Sequence, residues 1–163
     1  MTRGLLLATS LVLGCAAPLG AYGDWTRVVS DDGRLAVHLP TPPWQPVDGP
    51  ADELRLEIPF VRAMRAPTYA LRVRFQGGNA RARADRDAAA AGADDELFGP
   101  RPIETDEGLP GFETVVIDDD FRSTRTAHFD APTGVVTVVV EANPRLEDDP
   151  EVDALIRSLE VLE

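Results

Sequence analysis

The sequence has no lysine, one cysteine and two histidines among its 163 residues. Without lysine, the protein cannot form a lysine Schiff base or bind phosphate through a P-loop lysine. The single cysteine, Cys15, leaves no intrachain disulfide. The sequence also lacks a Gly-x-Ser-x-Gly elbow, a His-Glu-x-x-His zinc motif and a glycine-rich phosphate loop. The enzyme classes that carry these signatures are therefore excluded.

Positive charge is also scarce. Sixteen basic residues, all arginine, stand against 28 acidic ones, and the formal net charge is −12. Without the first fourteen residues, which contain one arginine, the balance is 15 against 28, or −13. An acidic surface of this kind repels nucleic acid and anionic headgroups, so we predict no nucleic-acid partner. The length and the 44% hydrophobic content indicate one globular domain.

The N-terminus has the layout of an export signal. Arg3 precedes an apolar run from Gly4 to Leu13, which is too short to span a bilayer because spanning takes about 20 apolar residues. The run closes in Val12-Leu13-Gly14-Cys15, which resembles the bacterial lipobox. The resemblance implies cleavage before Cys15, a lipid attached to its sulfur and further acylation, for example by palmitate. The expected product is a lipoprotein anchored in a membrane of the cell envelope.

A second interpretation of the N-terminus stays open. An ordinary signal could be cut after Ala17 or Ala21, and Cys15 would then be discarded. Under the lipobox interpretation, residues 1–14 are the signal peptide, 15–23 a lipidated tether and 24–163 a single domain. Ala16 after the cysteine is typical of lipoproteins sorted to the outer membrane, which predicts its periplasmic face as the location.

Residues 24–163 combine strand and helix patterns. An Asp-Gly pair at Asp32-Gly33 predicts a first hairpin, and the proline-rich loop that follows predicts Trp44 packed on the core. Helices are predicted from the cap Asn79 and from Asp149-Pro150, and Gly99-Pro100 is expected to end the first helical region. The predicted strands are 26–30, 35–39, 54–58, 71–75, 113–117, 123–129 and 135–140, the last of them central because it is β-branched on both faces.

These elements predict an α+β domain with a mostly antiparallel sheet of about six strands and helices packed on it. The chain at this point resembles the PsbP-like sandwich, a family that includes DcrB-type bacterial lipoproteins. The resemblance rests on an early Trp25, a helix after Gly77-Gly78, and the segments Val37-His38-Leu39-Pro40, Gly108-Leu109-Pro110-Gly111 and Ile156-Arg157-Ser158-Leu159. It implies the fold and a binding or assembly role, and it brings no catalytic signature.

An acidic run is the first candidate site. Asp118, Asp119 and Asp120 repel one another, and a divalent cation would relieve that repulsion. His128 and Asp130 lie two residues apart and therefore on one face of a strand, so they are candidate metal ligands as well. The run does not match a calcium loop, and a solvated hairpin turn is the alternative interpretation.

A group of arginines is the second candidate site. Arg62, Arg65, Arg72 and Arg74 surround one loop and strand, and guanidinium groups suit an anionic or carboxylate ligand. The alternative is that they pair with strand neighbours such as Glu57.

We therefore expect a non-catalytic interaction or ligand-binding lipoprotein, without a cofactor, whose partners are the membrane through its lipid and an envelope protein or ligand. One alternative is a metal- or small-ligand-binding periplasmic protein that uses Asp118–Asp120 and His128. Another is a hydrolase without a recognised motif. The sequence does not determine the oligomeric state.

Overall fold

The computed structural model describes residues 24–40, 44–58, 69–142 and 148–162. The predicted signal peptide (1–14), Cys15, the predicted tether (15–23), Arg62 and Arg65 lie outside these ranges. The described residues form two helices, α1 (Ala80–Ala90) and α2 (Pro150–Arg157). Their strands are β1 (Thr26–Val29), β2 (Leu35–Leu39), β3 (Gln45–Pro46), β4 (Glu53–Glu57), β5 (Tyr69–Gln76), β6 (Glu96–Glu104), β7 (Pro110–Ile117), β8 (Ser123–Ala131), β9 (Gly134–Ala142) and β10 (Glu160–Val161).

Seven of these strands form one antiparallel sheet in the order β3-β4-β5-β9-β8-β7-β6. β9 lies in the middle, and its Val136, Val138 and Val140 are fully buried. The prediction that this strand is central is confirmed, since a β-branched strand tolerates burial on both faces.

A second, smaller antiparallel sheet has the order β1-β2-β10. Leu35, Val37 and Leu39 of β2 are buried in the same core as the apolar stripe of α2. This core lies between the large sheet on one side and the small sheet with α2 on the other. Alternate residues on the inner face of the large sheet, such as Leu71 and Phe129, contribute to it. Trp44 is half-buried and packs on the core, as predicted. The predicted α+β fold class is confirmed, and the first hairpin lies with β10 in a sheet separate from the large one.

Helix α1 lies on the outer face of the large sheet, over β6, β7 and β8. Asn79 caps it by accepting a hydrogen bond from the backbone N–H of Ala82, as the sequence predicts. Ala80 and Ala84 are fully buried, because small side chains let the helix approach the strands closely. Among the described residues, neither helix is long and apolar enough to cross a bilayer.

The prediction for Gly99-Pro100 is wrong. The helix ends at Ala90, and Gly99-Pro100 lies inside the edge strand β6, at a register shift between Phe98 and Arg101. A Cβ on Gly99 would lie 2.6 Å from the carbonyl oxygen of Glu113, and its φ is +103°, so only glycine fits there. Glycine and proline are typical of bulges and edge strands. Because of them, β6 lacks the alternation of apolar residues from which the other strands are predicted.

Candidate functional site

A groove runs along the outer face of the large sheet, beside α1. It has a volume of about 430 Å³, and its sheet residues come from β5, β9, β8 and β7. Hydroxyl, charged and small side chains predominate along its walls. The lining residues are Arg74, Gln76, Arg83, Asp87, Ala90, Ala91, Asp95, Thr114, Val116, Thr124, Thr126, His128, Thr137 and Val139.

Strand pairing explains why these side chains meet. Residues two apart on a strand share a face, so Thr124, Thr126 and His128 of β8 all point outward. Antiparallel register places His128 opposite Thr137 of β9, and Thr137 opposite Arg74 of β5. The groove floor is therefore a row of polar residues across three neighbouring strands.

Both ring nitrogens of His128 are engaged. Nδ1 lies 2.9 Å from Thr137 Oγ1, and Nε2 lies 2.7 Å from Asp87 Oδ2 on α1. Thr137 donates its hydroxyl hydrogen to Gln76 Oε1 at 3.1 Å, so its oxygen can only accept on the side of His128. His128 is 2% exposed and joins α1 to the sheet, with neither nitrogen open to a metal.

Asp130 shares the outer face with His128, as predicted, but it supports the start of α1. Its Oδ1 accepts a hydrogen bond of 2.9 Å from the backbone N–H of Ala80. This bond satisfies one of the free donors at the helix N-terminus.

The acidic run forms the hairpin turn between β7 and β8. Asp118 Oδ1 accepts from the backbone N–H groups of Asp120 and Arg122, at 3.1 and 2.8 Å. Asp119 and Asp120 are exposed. His128 is five residues beyond Ser123, roughly 17 Å along the strand, so the structure does not bring the run and the histidine together. Among the described residues, no group of three or more His, Cys, Asp or Glu side chains could hold a metal ion.

Two of the four candidate arginines lie within the described residues. Arg72 and Arg74 are exposed on the outer face of β5. Arg72 forms an ion pair with Glu141 of β9, rather than with Glu57. Arg74 lines the groove and, among the described residues, has no ion pair or hydrogen bond from its side chain.

Sequence reasoning missed the threonines and Asp87. The available signal was the alternation Thr124-x-Thr126-x-His128, which places three polar residues on the outer face of a predicted strand. The position of α1 over the sheet, and with it the contact of Asp87 with His128, depends on tertiary packing that no local pattern specifies.

The other histidine belongs to a surface cluster on the small sheet. His38 Nε2 lies 2.8 Å from Glu160 Oε1, and Arg27 donates to Glu160 Oε2. The hydrogen bond from Arg27 outweighs partial burial and holds the pKa of Glu160 below its ordinary value. Burial raises the pKa of the neighbouring Glu107, and the charge of Glu160 raises it further. This cluster fastens β10 to β1 and β2.

A third polar cluster is buried on the inner face. Arg125 is 1% exposed, and its guanidinium contacts Glu113 at 2.7 Å and Asp153 of α2 at 2.8 Å. Glu113 also pairs with Arg101. Burial alone would raise the pKa of Asp153, but the hydrogen bonds and charges of Arg125 and Arg157 hold it below the ordinary value. This network links α2 to the sheet and is structural.

No protein-family model matches the sequence, and no curated protein matches it significantly. Solved structures do share its fold. The chain aligns with a point mutant of the protein Mog1 at a TM-score of 0.57 and 8% identity, over 85% of this chain and 96% of that one. It aligns with the Ran-binding protein Mog1p of Saccharomyces cerevisiae at 0.57 and 7% identity, over 85% and 95%.

A protein of Bacteroides thetaiotaomicron VPI-5482 is also similar, at a TM-score of 0.45 and 13% identity. The alignment covers 84% of this chain and spans about half (48%) of that protein. At these identities the similarity to Mog1 concerns the fold alone. The chain thus has an α/β sandwich fold similar to that of Mog1.

Proposed function

We propose that this protein is a non-catalytic binding module of the bacterial cell envelope, and that the groove beside α1 binds its ligand. The observation that carries the proposal is the groove itself. Its volume of about 430 Å³ falls in the range of about 300–1,000 Å³ that is typical of small-molecule sites. A small polar ligand therefore fits this face of the sheet better than a large macromolecular surface does.

The walls of the groove suit a ligand with polar groups. Threonine hydroxyls can both donate and accept hydrogen bonds, and Val116 and Val139 offer apolar contact between them. The floor consists of sheet residues whose positions are fixed by pairing on both sides, which keeps the site preformed. Preformed sites lose less conformational entropy on binding.

Hydrolysis in the groove is the second candidate function, because Asp87, His128 and Thr137 form a chain of acid, imidazole and hydroxyl. Two features speak against it. Thr137 is 3% exposed, and its hydroxyl hydrogen is donated to Gln76 Oε1 rather than to His128. A nucleophilic hydroxyl must reach the substrate and pass its proton to the neighbouring base. Binding without chemical change is therefore the better-supported proposal.

The proposed location rests on the N-terminal sequence. The lipobox resemblance supports a lipid on Cys15, and multiple acyl chains would hold the acidic domain at a membrane that its charge alone would not favour. With Ala16 after it, the anchor would lie in the outer membrane. In the native host, the Cys15→Ser variant should leave the membrane fraction and lose the lipid mass. Membrane association that does not depend on Cys15 would contradict the anchor.

Ligand binding is tested by nuclear magnetic resonance. We expect compounds from a library of small polar fragments to shift the amide signals of Thr126, His128 and Val139. The Thr126→Trp variant, which fills the groove, should abolish these shifts while keeping the same unfolding midpoint. The proposal fails if no fragment shifts these amides, or if fragments shift them equally in the filled variant.

A further inference from the structure

Among the described residues, Arg74 is the one charged residue of the groove whose side chain makes no hydrogen bond or ion pair. Arg83 donates to Gln76 Oε1 and to the carbonyl oxygen of Gly77. Asp87 accepts from His128, and Asp95 accepts from the backbone N–H of Gly92 at 2.7 Å. Arg74 has no such bond among the described residues, although Glu53 lies opposite it on β4.

Glu53 does not neutralise Arg74 because it is engaged elsewhere. Its Oε2 accepts from Arg55 Nη2 at 2.8 Å, and its side chain is only 7% exposed. Arg72, the neighbour of Arg74 on the same face, is paired with Glu141. Among the described residues, the guanidinium of Arg74 thus has no ion-pair partner, and a guanidinium fork binds planar oxyanions in bidentate fashion.

Hydroxyl groups face the guanidinium across the groove. Thr124 and Thr126 line it, and among the described residues their hydroxyls make no hydrogen bond. Thr114, directly opposite Thr126 on β7, is only 1% exposed, so Thr124 and Thr126 supply the accessible hydroxyls. The register puts Arg74 two strands and two residues from Thr126, or roughly 12 Å between Cα atoms. After the side chains are accommodated, this span leaves room for one small molecule.

We propose that the groove binds a small organic anion whose body carries hydroxyl groups, with its carboxylate or phosphate on Arg74 and its hydroxyls on Thr126 and Thr124. This inference rests on the proposed function and narrows it to a ligand class. Charge-assisted hydrogen bonds are about twice as strong as neutral ones, so the anionic end supplies most of the affinity. Sugar acids and sugar phosphates have the required chemistry.

The test compares glucuronate, glucose 6-phosphate and glucose as probes for the intact mature protein, with amide shifts as the readout. From the concentration dependence of the amide shifts, we expect both anions to bind at least about tenfold more tightly than neutral glucose. The Arg74→Gln variant should bind the two anions at least about tenfold more weakly than the wild type does. Its affinity for glucose should be unchanged. The matched control Arg72→Gln, on the same strand and face, should change each affinity less than about twofold.

A second pair of variants tests the hydroxyl contacts. Thr126→Val keeps the shape of the side chain and removes its hydroxyl, so this variant should bind glucuronate several-fold more weakly. The control Thr133→Val, in an exposed turn, should not change the affinity for glucuronate. Equal affinities for glucose and glucuronate, or equal effects of Arg72→Gln and Arg74→Gln, would overturn the inference. In either case, fragments that still shift the groove amides would leave the proposed function standing. No shift with any compound would overturn both.

Discussion

At the scale of single residues, Arg125 is a charged side chain that is buried in the core and held by ion pairs. It lies on β8 facing the core, 1% exposed, with Glu113 and Asp153 as its partners. Burying a charge is costly unless it is paired, so each member of this network depends on the others. Removing the arginine leaves the buried carboxylate of Glu113 with only the half-exposed Arg101.

We expect Arg125→Met to lower the free energy of unfolding by about 3 kcal/mol, because a buried carboxylate loses its closest partner. Denaturant unfolding measures the change. Arg122→Met, an exposed arginine in the preceding turn, is the control and should stay within about 0.5 kcal/mol. Equal losses in the two variants would mean that the network adds no stability.

Single residues of the candidate site were only partly predictable. His128 and Arg74 could be selected because their residue types are rare or chemically distinctive in this sequence. Their partners could not, since Asp87 is 41 positions away from His128 along the chain and meets it only after α1 packs on the sheet. Asp118–Asp120 is the opposite case, because its role as a hairpin turn follows from the local sequence alone.

At the scale of elements, the pairing of β7 with β8 depends on Gly111. A Cβ at this position would lie 2.3 Å from the carbonyl oxygen of His128 and 2.7 Å from a ring carbon of Phe129. The obstructing oxygen belongs to the backbone of a paired strand, so it cannot move without breaking the ladder. Gly111 therefore sets how closely the hairpin closes beneath the groove.

Gly111→Ala should lower the free energy of unfolding by about 2 kcal/mol through this overlap, and should shift the amide signal of His128. Gly77→Ala is the matched control, because a Cβ at Gly77 meets nothing within 4 Å. Thermal or denaturant unfolding compares the two. A Gly111→Ala protein as stable as Gly77→Ala would contradict the close approach of the strands.

The small sheet gives a pH-dependent prediction. The pKa of Glu160 is held below its ordinary value of 4.5 by the hydrogen bond from Arg27, so folding favours its ionised form. The resulting stability is fully present above pH 4.5 and is lost as the pH falls through the lower folded pKa. The raised pKa of Glu107 acts in the opposite sense, costing stability as the pH rises, so Glu160 must be isolated by substitution.

Glu160→Gln should destabilise the protein near neutral pH, and the difference from the wild type should shrink as the pH falls from 4.5 to 3. Arg27→Gln should show the same trend, because it removes the main cause of the pKa shift. Urea unfolding at several pH values measures both. A difference that stays constant over this range would contradict the role of the pair.

Elements were more predictable than sites. Periodicity and caps predicted both helices and the strands that enclose the core, because each repeats its apolar residues at a helix or strand period. β6 could not be predicted, since it is an exposed edge strand with a bulge at Gly99-Pro100 and a single buried hydrophobic residue, Ile103. The division into two sheets was equally out of reach, because it depends on which distant strands pair.

At the scale of the whole molecule, the two faces of the large sheet differ in what packs on them. The inner face, with α2 and the small sheet, forms the core, while the outer face is covered only in part by α1. This incomplete cover leaves the groove that the proposed function uses. The sequence could predict the layers but not the groove, since its volume results from where α1 lies across strands distant in sequence.

The most direct test of the proposed function uses the absence of cysteine from the folded domain. In a Cys15→Ser background, Ala90→Cys and Thr133→Cys each accept one environment-sensitive fluorophore, the first on the exposed wall of the groove and the second in an exposed turn. Each labelled protein is titrated with the small-molecule filtrate of the host's own envelope. We predict a saturable change in fluorescence at position 90 and none at 133. No change at 90, or the same change at both positions, would contradict a ligand-binding groove.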